Sequence, residues 1–248
     1  MKNMKNYLKP DERLDDLQRD GLQIIQHPDK FCFGMDAVLL SHFSTIKKNS
    51  YVLDLGTGTG ILPLLLSSLT EAKHFDALEI QDESVDMANR SIALNHLSDK
   101  ITVTQGDIKK ASSIYGKQVF DAVVTNPPYM NDKHGLKNPD LPKAIARHEI
   151  HCTLQDVIRE ASIVLKPKHS LYMVHRPFRL PEIFQQMHTY KLEPKRMCLV
   201  QPYIDKEPNM VLIEAVKDGN PMLKIEPPII VYHKNGEYTE QLKDIYYQ

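Results

Sequence analysis

The chain has 248 residues, which is enough for one large domain or two small ones, and we expect one main domain with extensions. Hydrophobic residues make up 42% and charged residues 25%, as in ordinary soluble globular proteins. The formal net charge of −1 excludes a strongly basic protein that binds nucleic acid by bulk electrostatics, so any such contact must be local. No apolar run approaches the ~20 residues of a membrane span, and the first residues lack the hydrophobic region of a secretory signal. We therefore expect a cytoplasmic location, and we expect the three widely spaced cysteines to be reduced thiols.

The N-terminal part of the chain offers few signs of chemistry. Residues 1–20 mix charges around two leucines and are typical of a solvated helical turn or arm, whereas residues 21–26 alternate like a short strand. An apolar run then predicts a helix over Ala37–Phe43 with Asp36 as its N-cap. A ligand contact by Asp36 and a plain helix cap explain this pattern equally well.

A glycine-rich turn follows the first strongly apolar strand, Tyr51–Leu55, and opens a predicted helix over Ile61–Leu69. Such glycines let the backbone approach a ligand, and the helix points its partly positive N-terminus at the same place. The glycines are Gly56, Gly58 and Gly60. This spacing differs from the dinucleotide fingerprint G-x-G-x-x-G. Asp54 precedes the turn and would repel a pyrophosphate but could accept hydrogen bonds from an ammonium group, so we infer a ligand with an amino-acid end.

Acidic residues close the next two predicted strands. The strand Phe75–Ile80 carries Glu79, 23 residues after Gly56, and an acid ~20 residues after the glycines holds the ribose hydroxyls in nucleotide-binding α/β folds. A lone acid at a strand end is also often only a helix cap. After the strand Ile101–Gln105, Asp107 could accept a hydrogen bond from an adenine amine, or it could simply form a turn.

The strand Val119–Thr125 is the segment around which the site is organised, because it leads directly into Asn126-Pro127-Pro128-Tyr129. Its apolar centre predicts a buried parallel strand that two prolines stop abruptly. The side-chain oxygen of Asn126 and the carbonyl of Pro127 could accept two hydrogen bonds from one planar NH₂ group, and Tyr129 could stack on a flat base. The plain alternative is a Pro-Pro strand terminator beside a core tyrosine.

A long, locally basic loop, residues 130–147, follows this corner. Lys133 and Arg147 in this loop could hold an RNA backbone, although a solvated loop without a partner has the same composition. His148 begins a His-Glu-Ile-His sequence, but its spacing is not that of a zinc-protease helix and no third ligand is evident. We therefore expect no metal.

The C-terminal half predicts regular elements. Thr153, with Asp156, caps a helix through Leu165 that Lys166-Pro167 ends. The remaining predicted elements are a fifth strand Ser170–Val174, a helix Leu180–Tyr190, and an antiparallel pair Arg196–Val200 and Met210–Val216 joined by the polar loop Tyr203–Asn209.

These motifs, in this order, resemble the Rossmann-like S-adenosylmethionine-dependent methyltransferases over about residues 30–217. The Asn-Pro-Pro-Tyr corner is similar to that of the amino-methyltransferases that act on adenine, guanine or glutamine nitrogens. More narrowly, the segments Phe31–Leu40, Ala146–Glu149 and Val174–Pro177 resemble the tRNA adenine-N6 methyltransferases and their Gram-positive relatives. In that family the resemblance implies methylation of an adenosine beside the anticodon of a valine tRNA.

The resemblance implies an α/β fold with a seven-stranded, mostly parallel sheet, an antiparallel last strand pair and helices on both faces. It divides the chain into an arm and leading helix (1–43), a methyltransferase core (44–217) and an extension that docks on the core (218–248). The expected cofactor is S-adenosylmethionine, held by Gly34, Asp36, Asp54, Gly56, Gly58, Gly60, Glu79, Asp107 and Asn126. The expected catalytic residues are Asn126, Pro127 and Tyr129, and the expected substrate contacts are Lys133, Arg147, His148 and Arg176.

The expected reaction is methylation of the exocyclic amine of adenine in structured RNA, with tRNA as the favoured partner. A protein glutamine amide and the N2 amine of guanine remain alternatives, because both present a planar NH₂. A cofactor-binding module without catalysis is a further alternative from another class. We expect a monomer without a membrane or metal partner.

Overall fold

The central element of the structure, a computed structural model that describes residues 7–29, 32–127 and 152–247, is a twisted β-sheet with helices on both faces. The strands are β1 (Arg13–Asp16), β2 (Gln23–Gln26), β3 (Tyr51–Leu55), β4 (His74–Glu79), β5 (Ile101–Gln105), β6 (Phe120–Thr125), β7 (Leu165–His175), β8 (Leu192–Gln201), β9 (Met210–Lys217), β10 (Lys224–Ile225) and β11 (Ile229–Ile230). The α-helices are α1 (Met35–Phe43), α2 (Ile61–Leu69), α3 (Asp82–Leu94), α4 (Ala111–Tyr115), α5 (Leu154–Val164), α6 (Leu180–Thr189) and α7 (Glu240–Tyr247).

The strand order confirms the predicted α/β class. Seven long strands are arranged as β5-β4-β3-β6-β7-β9-β8, with β3 to β7 parallel and β9 antiparallel to both of its neighbours. Two strands of two residues each, β10 and β11, add to β8 at the edge, so this sheet has nine strands in the described residues rather than seven. The chain order reverses between β3 and β6, and open α/β sheets bind ligands at this switch point.

Apolar residues of the strands alternate between two clusters, one on each face of the sheet. On one face Val52 and Val124 pack with α1 and α2, and on the other Leu53 and Val123 pack with α5 and α6. Because both faces are covered, the central strands are apolar at nearly every position, which is why the sequence predicts them so clearly.

The prediction of a helical turn within residues 1–20 was wrong for residues 13–16. Residues 13–16 form β1, which pairs antiparallel with β2 in a separate two-stranded sheet. The strand conformation comes from this backbone pairing. In addition, the Arg90 guanidinium on α3 donates to both carboxylate oxygens of Glu12 at 2.6 and 2.7 Å and to the Tyr7 carbonyl. This bidentate pair fixes the start of the hairpin against α3.

Two local predictions near turns also need correction. Helix α1 begins at Met35 with Gly34 as its N-cap, and Asp36 lies inside the first turn, where its Oδ1 accepts from the Ala37 N–H at 2.9 Å. Strand β7 begins at Leu165 and passes through Pro167, which was expected to lie outside any strand. The β6–β7 register skips from Leu165 to Ser170, so the proline lies in a bulge where its missing N–H removes no ladder bond.

The C-terminal segment packs against the same apolar cluster as α1. Leu242 and Ile245 of α7 are buried in that cluster. Adjacent rings in a series of tyrosines stand 5.3 to 6.1 Å apart, centroid to centroid, and join α7 to the β8–β9 loop. These tyrosines are Tyr203, Tyr232, Tyr238 and Tyr246. The division into arm, core and extension stays a prediction. No helix in the described part of the chain is long and apolar enough to cross a membrane.

Candidate active site

The carboxyl ends of the parallel strands bring the predicted motifs to one edge of the sheet. Asp54 on β3 is paired in register with Val124 on β6. The glycine turn after β3 therefore lies beside the Asn126–Pro127 corner after β6. On the other side, Leu55 is level with Leu78, which places Glu79 next to the same turn. The hydroxyl of Thr125 donates to the Leu55 carbonyl at 2.9 Å and ties the two central strand ends together. The site therefore straddles the switch point.

The glycine turn has a backbone that requires glycine. Gly56, Gly58 and Gly60 have φ angles of 79°, 57° and 88°, a region that side chains rarely allow. A Cβ at Gly60 would stand 3.3 Å from the Cβ of Ala88, so α2 and α3 pack closely there. Around Gly58 a Cβ would meet no atom within 4 Å, so the middle of the turn faces open space in which a ligand can lie against the backbone.

Glu79 stabilises the glycine turn through hydrogen bonds. Its carboxylate is nearly buried and accepts three backbone N–H groups at 2.9 Å, from Gly58 across the turn and from Ile80 and Gln81 at the start of α3. The sequence did not predict the bond to Gly58, which depends on the packing of β4 beside β3. A carboxylate has about four lone-pair sites, so one remains for a ribose hydroxyl, and that role stays a prediction.

Asp54 is the most unusual group of the site. Its side chain is buried, and within the described residues neither carboxylate oxygen makes a well-formed hydrogen bond, nor does the buried Thr57 hydroxyl. Burial raises the pKa of Asp54 to about 7, the nearby Thr57 hydroxyl partly offsets this effect, and the negative charge of Glu79 adds to it. A buried carboxylate without a partner costs free energy unless a ligand pairs with it, so it fits a ligand with an ammonium group.

The remaining predicted cofactor contacts have local bonds. Asp107 caps a short 3₁₀ helix, because its Oδ1 accepts from the Lys109 N–H at 2.9 Å. Gly34 lies against Asp36, whose Oδ1 would stand 3.0 Å from a Cβ at that position. The pKa of Tyr246 is raised, mainly by burial and also by Tyr238 and the Asp36 carboxylate. Asp36 therefore lies near the tyrosines of the C-terminal segment. The ligand roles of Gly34, Asp36 and Asp107 stay predictions.

Of the Asn126-Pro127-Pro128-Tyr129 corner, the structure describes the first two residues. Asn126 is half-buried and Pro127 is buried at the end of β6. Tyr129, together with Lys133, Arg147 and His148, lies outside the described residues. Of the predicted substrate contacts, Arg176 is described, and its Nη1 donates to the Asn209 carbonyl at 2.8 Å, which ties the end of β7 to the β8–β9 loop.

His175 is a site residue to which the sequence analysis gave no role of its own. It ends β7, and the register places it beside Pro127. The ring is buried, and burial, helped by the charges of Arg179 and Arg176, lowers the pKa of His175 to about 3, so the ring is neutral. Its Nδ1 accepts the Arg176 N–H at 2.8 Å, which leaves the proton on Nε2. The sequence signals were its place at the end of an apolar strand and its position in the segment Val174–Pro177, which resembles the tRNA adenine-N6 methyltransferases.

No metal cluster is found in the part of the chain that the structure describes, because no three His, Cys, Asp or Glu side chains come together there. His148 and His151 lie outside that part, so the expected absence of a metal stays a prediction.

The sheet order defines the fold, which is the Rossmann-like methyltransferase fold. Residues 22–191 match the family model described as "Methyltransferase small domain", and the chain belongs to that family.

Two curated relatives match most of this chain, and a solved structure has the same fold. The chain is 34% identical over 187 residues to a protein from Porphyromonas gingivalis named tRNA1(Val) (adenine(37)-N6)-methyltransferase, covering 73% of this chain and 72% of the relative. A protein of the same name from Parabacteroides distasonis is 30% identical over 219 residues, covering 86% and 90%. The crystal structure of a predicted O-methyltransferase from Agrobacterium tumefaciens, protein Atu636, has a TM-score of 0.68 at 23% identity, covering 85% of this chain and 95% of that one.

Proposed function

We propose that this protein transfers a methyl group from S-adenosylmethionine to the N6 amine of an adenine in tRNA. The observation that carries the proposal is the juxtaposition of the glycine turn and the Asn126–Pro127 corner on adjacent strands at the switch point. Backbone groups of neighbouring strands lie ~4.8 Å apart, so a ligand on the turn and a base at the corner are within reach of each other. The names of the curated relatives support tRNA adenine as the substrate.

The residues of the glycine turn fit the cofactor. When bound, S-adenosylmethionine supplies an electrophilic methyl group on a sulfonium. The Asp54 carboxylate accepts from the ammonium of the amino-acid end, which gives a partner to a buried acid that otherwise lacks one. The open face of Gly58 admits the ligand to the backbone, with Gly56 and Gly60 shaping the turn. Glu79 holds the ribose hydroxyls with its remaining lone pair, Asp107 binds the adenine amine, and Gly34 and Asp36 close the site from α1.

The corner aligns the acceptor amine. The adenine N6 lone pair is delocalised into the ring, so the amine is a poor nucleophile. Asn126 accepts one N–H through its side-chain oxygen and Pro127 accepts the other through its carbonyl, which orients the amine toward the methyl group. Tyr129 stacks on a base extruded from the RNA. No general base is required, because the methylated ammonium loses its proton readily to water.

The RNA contacts come from the loop after the corner and from the end of β7. Lys133, Arg147, His148 and Arg176 contact the RNA backbone, and Arg176 is positioned for this by its bond to the Asn209 carbonyl. Such local contacts suit a chain with a net charge of only −1. A tRNA substrate agrees with the cytoplasmic location and the monomer expected from the sequence.

The test uses the whole protein, labelled cofactor and total tRNA from a strain that lacks the gene. After nuclease digestion, mass analysis of the nucleosides should show N6-methyladenosine. Label in N2-methylguanosine, or label that enters only ribosomal protein, would overturn the assignment to adenine. Tight cofactor binding without transfer to tRNA, bulk RNA or protein would identify a non-catalytic binding module instead.

A further inference from the structure

Gln26, the last residue of β2, has a side chain whose burial nothing in the fold explains. It is 0% exposed, and neither its amide oxygen nor its amide nitrogen has a hydrogen-bond partner within the described residues. A buried polar group left without a partner costs ~1–3 kcal/mol, so proteins rarely keep one without a reason. The unpaired oxygens of Asp54 and the hydroxyl of Thr57 share this property.

Hydrogen bonds between β2 and α3 show which part of α3 lies beside Gln26. The Asn95 side chain bonds the backbone of Gln23, and the Ser91 hydroxyl accepts from the Ile25 N–H at 2.9 Å. A strand rises ~3.3 Å per residue and a helix ~1.5 Å per residue, so three residues along β2 correspond to about seven residues back along α3. This places Gln26 at the level of Ala88, the residue against which Gly60 of the glycine turn packs.

The alternation of the strand gives the direction of the side chain. Gln26 and Ile24 are two residues apart and lie on the same face of the hairpin. Ile24 belongs to the apolar cluster formed with α1 and α2. Gln26 is therefore on the face of the hairpin that packs into this cluster, and Ile61, the first residue of α2 after the glycine turn, is another member of the cluster.

We propose that Gln26 binds the carboxylate of the cofactor's amino-acid end, while Asp54 binds its ammonium; this inference rests on the proposed function. The Nε2 group of Gln26 supplies two donors for the carboxylate. The partly positive N-terminus of α2, a helix of nine residues, favours negative charge at the same place. A neutral amide suits this position, because a lysine or arginine would compete with the ammonium for Asp54.

The assignment divides the ligand between the two sides of the turn. The ribose and adenine lie toward β4 and β5, where Glu79 and Asp107 stand. The amino-acid end lies toward Asp54, the first turn of α2 and the hairpin that carries Gln26. The β1–β2 hairpin, which no motif connected with chemistry, thus completes the cofactor site and explains why Arg90 holds it against α3.

Three ligands measured by calorimetry separate these roles. S-adenosylhomocysteine has both carboxylate and ammonium, its decarboxylated analogue S-adenosyl-3-thiopropylamine keeps the ammonium only, and 5′-methylthioadenosine has neither. Gln26→Leu should weaken S-adenosylhomocysteine binding ~10- to 100-fold and leave the other two dissociation constants unchanged, because only the bond to the carboxylate is lost. Asp54→Asn should weaken the first two ligands and spare 5′-methylthioadenosine.

The matched control is Gln23→Leu on the same strand, which should leave all three affinities unchanged. Equal affinities of wild type and Gln26→Leu for S-adenosylhomocysteine, or equal losses for all three ligands, would overturn the inference. If Gln26→Leu does not fold, Gln26→Glu is measured in its place. Gln26→Glu should bind S-adenosylhomocysteine more weakly than wild type does and should not bind S-adenosyl-3-thiopropylamine more weakly. Equal changes in the two affinities would again overturn the assignment. If wild type binds none of the three ligands, the proposed function itself fails.

Discussion

Asn126 offers the most direct test of the chemistry at the scale of a single residue. Asn126→Ala removes one of the two acceptors that orient the amine, so we expect a loss of turnover of ~100-fold or more, the usual effect of deleting one positioned hydrogen bond in a transition state. The dissociation constant of S-adenosylhomocysteine should change less than ~3-fold. Turnover on tRNA and calorimetry on the same preparations measure the two effects.

The matched control for this substitution is Asn220→Ala, an exposed asparagine near the other end of the sheet. It should leave turnover and cofactor affinity unchanged. A parallel loss of turnover and of cofactor binding in Asn126→Ala would show that Asn126 shapes the cofactor site and does not align the amine.

The unpaired carboxyl of Asp54 should also be visible in the stability of the free protein. Burial raises its pKa from 3.8 to about 7 in the folded state, so the folded protein favours the protonated form. Its contribution to the free energy of unfolding is therefore fully present below pH ~4 and is lost as the pH rises through about 7. A shift of this size corresponds to at most ~4 kcal/mol.

Asp54→Asn keeps the shape of the side chain and cannot ionise. Relative to this variant, wild type should lose up to ~4 kcal/mol of unfolding free energy between pH 4 and pH 8, because only wild type must bury a charge at the higher pH. Urea denaturation of both proteins across this range measures the difference, in which the titrations common to both cancel. Parallel pH profiles would mean that the Asp54 carboxyl already has a partner in the free protein.

At the scale of the element, Glu79 joins β4, the glycine turn and the start of α3 through three backbone hydrogen bonds. Glu79→Ala leaves those N–H groups without their acceptor, so we expect ~2–3 kcal/mol lower stability, typical of losing hydrogen bonds to a charged group. Thermal unfolding and urea denaturation provide the measurement. Glu71→Ala, which removes an exposed acid, is the control and should stay within ~0.5 kcal/mol of wild type.

Elements whose pattern is local were predictable from the sequence. Strand β3, helix α2 and strand β5 have the bounds that the apolar pattern predicts, and the Thr153–Asp156 capping box begins α5 as expected. The strand in the arm was not predictable, because residues 13–16 carry no apolar alternation and their conformation comes from pairing with β2. The anchor of this hairpin, Arg90, is 78 residues from Glu12. The start of β7 was missed because β6, and not the neighbouring sequence, places Pro167 in a bulge.

The same distinction applies to the candidate site. Acids and glycines at strand ends could be predicted, because parallel strands bring their carboxyl ends to one edge. The three bonds of Glu79, the burial of His175 beside Pro127 and the unpaired amide of Gln26 depend on packing between segments far apart in the chain. Nothing in the sequence around these residues reports that packing.

At the scale of the whole molecule, one apolar cluster joins the N-terminal hairpin, the leading helix, the core sheet and the C-terminal helix. Its members include Leu22 from the hairpin, Leu39 from α1, Val124 from β6 and Leu242 from α7. The side of the sheet that carries Gln26 and the glycine turn is thus built from residues of all three predicted segments. We therefore expect the arm, the core and the extension to unfold together.

Leu242→Ala tests this coupling, because Leu242 is fully buried in the shared cluster. Removing its side chain should lower the free energy of unfolding by ~2–5 kcal/mol, the usual cost of a core leucine-to-alanine change. The chain has no tryptophan, so Tyr246→Trp introduces a single fluorescent reporter into the C-terminal segment. In that background, the urea transitions followed by tryptophan fluorescence and by circular dichroism of the whole chain should shift together and stay coincident. Asp244→Ala, an exposed change on the same helix, should shift neither. Two separated transitions, with the fluorescence change alone moving in Leu242→Ala, would mean that the extension folds as a unit of its own.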